Sequence, residues 1–277
     1  MKKQIHEKCS FCNGTTFQTL FSTNGHLVIE CENCHLVRTS QFKLPSYSKY
    51  HRDEEYHSTE RLFRYIFQKR FSLISNVIQT PGSVLDIGAA TGVFLDIFKE
   101  HGWETWGVEP SASAEFAREK GHQIENTTLE KSSLKRKFDL IVANHVLEHI
   151  EDPKTFIQEI KKRLVSGGYV YIDVPNFGSL RSLAMKSRWP YLLVDEHVHH
   201  FTPETLSALL VDSGFSIEFV KTRSGLFETS NPFSYLLHEL LGLKKNFFSD
   251  IFSLPVDTVS TLLQKGDSVG VLSKLSK

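Results

Sequence analysis

The residue types able to do chemistry fall into four groups. Cys9-Ser-Phe-Cys12 and Cys31-Glu-Asn-Cys34 form two C-x2-C pairs separated by 18 residues. This spacing suits zinc: two cysteines three apart on a tight turn can face one ion, and two such knuckles close a tetrahedron of thiolates. Four thiolates leave no open coordination position, so the ion would be structural, and a ribbon of about 40 residues needs it to fold. The competing reading is four free or redox-active thiols. All four cysteines lie within the first 34 residues, which favours a metal site in a reducing cytoplasm over an extracellular disulfide scaffold.

The second group is Asp86-Ile-Gly88-Ala89-Ala90-Thr-Gly92, a glycine-bearing turn after the apolar run Val84-Leu85. A dinucleotide fingerprint is absent, because G-x-G-x-x-G starting at Gly88 would need glycine where Ala90 and Val93 stand. That spacing excludes the nicotinamide oxidoreductase reading. A carboxylate at Asp86 would repel a pyrophosphate but suits a ligand bearing an ammonium and a sulfonium. Glu109, directly after Trp106-Gly-Val108, is placed to accept both hydroxyls of a ribose; the competing reading is a solvated loop glutamate.

The remaining groups carry histidines. His145-Val-Leu-Glu148-His149 matches the H-x-x-E-H pattern of some metalloproteases, but it follows a strand immediately and no third ligand follows at a telling distance. In Asp195-Glu196-His197-Val-His199-His200-Phe-Thr202, imidazoles near neutrality could remove a proton. The plainer reading is that His197, His199 and His200 cap a helix and bond backbone groups.

These groups sit in an alternation of strand and helix. Apolar residues from Leu62 to Val77 recur at helical spacing, giving an amphipathic helix over Thr59–Ile78 that Pro81-Gly82 stops. Strands follow at 84–87, 105–108, 122–124, 138–143 and 169–174, with helices at 93–101, 112–120 and 153–164 between them. Thr202-Pro203 opens another helix, and 215–220 and 268–272 read as the last strands. Alternation of this kind implies a parallel sheet with helices on both faces, and hence a loop at 88–92 on the carboxyl edge where such sheets bind ligands. The organisation is therefore a zinc ribbon over 1–45, a linker and docking helix over 46–80, and an α/β domain over 81–277. The tail 231–263, rich in Leu and Phe and broken at Pro255, reads as a lid or dimer contact, since Lys244-Lys245 is too small a basic patch to anchor a helix on a membrane.

Lys+Arg and Asp+Glu both number 32, so no net charge steers the chain onto nucleic acid. No apolar window approaches the ~18 residues needed to span a bilayer. The expected setting is a cytoplasmic monomer or homodimer acting on a small molecule.

Together, Asp86–Gly92, Gly107-Val-Glu-Pro110, Phe138-Asp-Leu-Ile-Val-Ala-Asn-His-Val-Leu-Glu-His149 and Leu164-Val-Ser-Gly-Gly-Tyr169 resemble the ordered motifs of class I S-adenosylmethionine (SAM) methyltransferases, over about residues 60–225. The resemblance implies a Rossmann-like seven-stranded sheet with an antiparallel last strand. It implies SAM in an extended pose, with Asp86 and the loop residues Gly88, Ala89, Ala90 and Gly92 at its methionine end. Glu109 and Pro110 then lie at the ribose, the adenine pocket near Thr128-Leu129-Glu130, and Asn144 also at the cofactor. Ala90 departs from the family's usual glycine. Some quinol O-methyltransferases of this fold bind a divalent ion nearby, which leaves Glu148 and His149 open as ligands.

A zinc ribbon ahead of such a domain, with an E-H-x-x-x-F segment, is similar to sugar C-methyltransferases acting on nucleotide-linked keto-sugars, although Val194 stands where those enzymes have tyrosine. That likeness implies His149, Glu196 and His197 at the acceptor, and His145 joins them as a catalytic candidate. The alternative from another class is an inactive methyltransferase-like scaffold whose ribbon binds a protein.

Overall fold

The computed structural model describes residues 8–40, 53–233, 235 and 246–276, and the side chains among them except those of 53–59 and 246–252. The strands are β1 (Phe17–Thr23), β2 (His26–Cys31), β3 (Val37–Thr39), β4 (Ser83–Ile87), β5 (Glu104–Val108), β6 (Gln123–Glu125), β7 (Phe138–Asn144), β8 (Leu164–Pro175), β9 (His199–His200), β10 (Phe215–Arg223) and β11 (Ser268–Leu275). The helices are α1 (Asp53–Ser75), α2 (Val93–Glu100), α3 (Ala114–Glu119), α4 (Pro153–Lys162), α5 (Leu180–Met185), α6 (Pro203–Asp212) and α7 (Asn246–Leu262). Much of the expected linker, residues 41–52, lies outside the described residues, as do residues 236–245 of the tail, Lys244-Lys245 included.

Seven strands form one sheet in the order β10-β11-β8-β7-β4-β5-β6. β7, β4, β5, β6 and β8 run parallel, while β11 inserts antiparallel to both β8 and β10. Alternation along the central strands explains the layers. Leu85, Ile141, Ala143, Val170 and Ile172 pack with α4 and α6, through Phe156, Ile157, Ile160, Leu206 and Leu209. Their neighbours Val84, Leu140, Val142 and Tyr171 point the other way, against Phe67, Phe71 and Ile74 of α1 and Phe94 and Phe98 of α2. Side chains of period two thus feed two cores, each buried residue worth about 1.5–3 kcal/mol. Asp152 caps α4 by accepting from Thr155 N, and Thr202 and Thr205 form a reciprocal capping box at α6, each ahead of a proline suited to the first turn.

The docking helix ends at Ser75, short of Pro81-Gly82, because Val77 and Ile78 already turn back onto Ile74 O. The break expected at Pro255 does not occur. α7 runs through it, with Asp257 and Ser260 buried one turn on, so packing outweighs the one hydrogen bond that proline removes.

A second sheet runs β1-β2-β3-β9. Its last strand is supplied from within the α/β domain, by the segment between β8 and α6: Val37 pairs with His200 and Arg38 with His199. Cys9, Cys31 and Leu36 belong to the same apolar cluster as Leu147, Phe201 and Leu206. The ribbon is therefore packed into the α/β core. Among the described residues no helix is long and apolar enough to cross a membrane.

Candidate active site

At the carboxyl edge of β4, β5 and β7 lies a cavity of about 830 Å³, within the usual size for a ligand site. Its floor is the turn from β4 into α2. Gly88, Ala90 and Gly92 all adopt positive φ, at 74°, 45° and 81°. At Gly88 a Cβ would also come within 2.7 Å of Val146 Cγ2, so glycine is required there on two counts. The alanine at 90 sits in the left-handed region, where a methyl is tolerated at a conformational cost.

Glu109, at the end of β5, spans this turn: Ala90 N donates to one carboxylate oxygen at 2.9 Å and Ser111 N to the other at 2.8 Å. Asn126 Nδ2 donates to Glu109 O at 2.7 Å and fixes the backbone behind it. Glu109, Pro110, Leu129, Gly88, Ala90 and Asn144 line the cavity, as do Thr128 and Glu130. Ala89, Gly92 and Asp86 lie behind the lining. Asp86 is 3% exposed, and its burial, then the charge of Glu109, push its carboxyl well above the ordinary range. A bound ammonium is the kind of partner such a carboxyl lacks.

The facing wall is made by the turn after β7 and the segment before β9. His145, at φ 55°, places Nδ1 3.1 Å from Glu148 Oε1. Glu148 is 1% exposed, and burial alone would raise it. The His145 hydrogen bond and the imidazoles of His145, His149 and His197 overcome that and hold it at about 2. His149 Nδ1 is 2.9 Å from Glu196 O and His197 Nδ1 3.1 Å from Tyr191 O. A carbonyl only accepts, so each ring carries its proton on Nδ1 and its lone pair on Nε2. The two rings meet edge to face at 4.8 Å. Burial holds His197 down to about 3, with Glu148 opposing, so it is neutral at pH 7.

His145, His149 and His197 line the cavity with Glu148. Glu196 serves through its carbonyl, and its carboxylate is not part of the lining. His199 and His200 lie behind the wall: His199 bonds Ile150 O, the backbone role foreseen for it, while His200 bonds the Thr39 hydroxyl, and the cap of α6 is Thr202 and not a histidine. The residues that sequence reasoning missed are Arg70, Glu228, Asp267 and Ser268, which close the far end. Arg70, from α1, is 1% exposed and bonds Asp173 Oδ1 at 3.0 Å and Glu228 Oε2 at 3.4 Å. Only the unusual arginine on the apolar face of α1 could have signalled it.

Among the described residues, two groups of side chains could hold a metal. The four Cys Sγ atoms lie within 4.8 Å of one another, with Cys9–Cys34 and Cys12–Cys31 at 3.5 Å. Tetrahedral Zn–S bonds of about 2.3 Å imply sulfur separations of roughly 3.8 Å, so the quartet fits zinc with little movement. Glu148, His149 and His197 form the other group.

A family model described as a methyltransferase domain matches residues 56–219. A ubiquinone biosynthesis O-methyltransferase from a Bradyrhizobium species is 30% identical over 144 residues, 47% of this chain and 56% of that protein. A trans-aconitate 2-methyltransferase of Rhodococcus jostii is 26% identical over 167 residues, 55% of this chain and 65% of that protein. The chain thus spans under two thirds of these relatives' lengths. Among solved structures, a SAM-dependent methyltransferase from Clostridium acetobutylicum superposes with a TM-score of 0.55 at 14% identity, covering 81% of this chain and 99% of that one. Another, from Thermotoga maritima, gives 0.53 at 21% identity, covering 80% and 94%. Both share the fold.

Proposed function

The chain belongs to the methyltransferase-domain family, and on that premise we propose that it transfers a methyl group from SAM to an oxygen or carbon of a small or medium polar acceptor, a sugar unit first among them. The observation that carries the acceptor class is a set of buried polar atoms without protein partners on residues lining an otherwise largely apolar cavity. They are Asn144 Oδ1, Glu148 Oε2, Asp267 Oδ1, Ser268 Oγ and two guanidinium nitrogens of Arg70. Buried polar groups are costly unless they bond something, and three of these oxygens can only accept, which suits a ligand rich in hydroxyls.

The cofactor residues fit SAM. Gly88 keeps the floor clear of a Cβ, Glu109 offers two carboxylate oxygens to a ribose, and Asp86 lies beneath the turn where an ammonium would restore its charge. Leu129 and Pro110 supply apolar surface for the base. When bound, SAM supplies an electrophilic methyl on a sulfonium.

His149 is placed to take the acceptor's proton on Nε2 as the new bond to the methyl carbon forms, its ring oriented by Glu196 O. Glu148 stays ionised beside it and would steady the imidazolium. His197 fills the wall as a neutral ring, and with its pKa near 3 it positions rather than abstracts. Most of the rate would come from alignment of acceptor and sulfonium in the site. The four cysteines are proposed to hold a structural zinc.

Calorimetry on zinc-replete protein with SAM, S-adenosylhomocysteine (SAH) and NAD tests the reading. Micromolar binding of the first two and none of NAD is expected, followed by SAH release in the presence of nucleotide-linked sugars. Folded protein that binds neither sulfur nucleotide would overturn it in favour of the inactive scaffold.

A further inference from the structure

We infer that the cysteine ribbon is the positioning frame of the acceptor wall, with Ser10 and Thr39 as the residues that set His197 and His149 in place. The inference rests on the reading of those two imidazoles as acceptor-side groups.

The bonds run in a closed circuit. Thr39 N donates to Val198 O at 2.9 Å, and Thr39 Oγ1 donates to His197 O at 2.9 Å. The hydroxyl has only one proton, so its contact with His200 Nε2 at 3.0 Å requires that ring to donate. Ser10 stands between Cys9 and Cys12, and its Oγ lies 2.7 Å from His199 Nε2. His199 Nδ1 donates to Ile150 O at 2.9 Å, so Nε2 accepts and Ser10 is the donor. Val198 N donates to Glu148 O at 2.8 Å, and His149 Nδ1 donates to Glu196 O. Both wall segments, 147–150 and 196–200, are thus strapped to each other and to the ribbon, one strap starting inside a cysteine knuckle.

Each strap has one workable proton arrangement. A displaced ribbon would release His197 O and the His199 ring together, and the wall would shift relative to the cofactor floor. The floor itself makes none of these bonds. Zinc occupancy should therefore govern the acceptor wall while leaving SAM affinity unchanged.

The test uses the zinc-loaded full chain, labelled with ¹⁵N-histidine and assigned by single His→Gln variants. In Thr39→Val and in Ser10→Ala the ring signals of His197 and His149 should move, with SAH affinity within about twofold of the parent. Thr39→Ser should restore the parent spectrum, and chelation of the zinc should reproduce the shifts. Val271→Ala, in the sheet core, serves as a variant of lowered melting temperature without a strap and should leave those signals in place. Unmoved ring signals in Thr39→Val, or equal shifts in Val271→Ala, would overturn the inference. If SAH binds no form of the protein, the methyl-transfer reading fails while the ring signals still decide whether the ribbon frames the wall.

Discussion

The floor and the facing wall of the cavity are built on opposite plans. The floor comes from one continuous strand-turn-helix and the residue after the next strand, so Gly88, Ala90 and Glu109 are near neighbours both in sequence and in space. The wall is assembled from distant pieces: Arg70 from α1, His145 to His149 after β7, His197 before β9, and Glu228 and Asp267 beyond β10. A local motif can be read as a string of letters, whereas an assembled surface is defined only once the sheet has brought its parts together. On the proposed reading, the same difference separates a cofactor site, which many chains share, from an acceptor site that each chain makes its own.

Breaking the wall should cost most. Arg70→Met leaves Asp173 and Glu228 without one of their buried cations and is expected to destabilise the fold by about 3–5 kcal/mol, read from urea unfolding. A loss under about 1 kcal/mol would mean that Arg223, which also bonds Asp173, is cation enough for both carboxylates. Breaking the floor should affect the ligand instead. Glu109→Ala is expected to weaken SAH binding about 100-fold, or roughly 2.7 kcal/mol, and to lower the melting temperature of the free protein by less than Arg70→Met does, since Ala90 N and Ser111 N lose their acceptor. Unaltered affinity would remove Glu109 from the ribose.

Two pH measurements sharpen the contrast. In the wall, His197 and His199 are held down to about 3 and His200 to about 4, in each case chiefly by burial. The unfolded chain binds these protons near pH 6.5 and the folded chain does not. Stability is therefore fully present above 6.5 and falls as pH drops from there toward 3. Melting temperature followed from pH 7 to 4 should decline throughout, and a flat profile would show that the rings are not buried neutral. In the floor, Asp86 is raised in the free protein, so an arriving ammonium that ionises it should release part of a proton. Calorimetry of SAM in buffers of different ionisation enthalpy should detect that release, increasing as pH falls, and Asp86→Asn should abolish it.

Most of the fold was legible in the sequence because its strands are buried on both faces and its helices carry capping residues. Val84 to Ile87, Phe138 to Ala143, Pro153 and Thr202-Pro203 each mark an element where one stands. β1 was missed because its residues show no strict alternation, and β9 because two histidines carry no strand signal. Their pairing is decided by Val37 and Arg38, far away in the chain. α5 was hidden because six residues are too few for a helical period to stand out, and its Leu183 and Met185 end exposed. Of the cavity's lining, Gly88 and Glu109 stand in motifs that the sequence displays, whereas Arg70 and Asp267 do not, since an arginine inside a docking helix looks like a solvated charge until its face is known. The sign of φ at Ala90 was equally out of reach of residue type.

The pairing of Val37 with His200 also sets a schedule. At about 5–20 residues per second, the strand that completes the ribbon's sheet leaves the ribosome roughly 10–30 s after the ribbon itself. During that interval Val28 and Leu36, which end fully or almost fully buried, lack the cover that Trp189, Leu192 and Phe201 later supply. Metal capture by the early cysteines would hold the nascent segment in a near-final shape while it waits, so zinc supply during synthesis should govern how much of the protein reaches the soluble fraction.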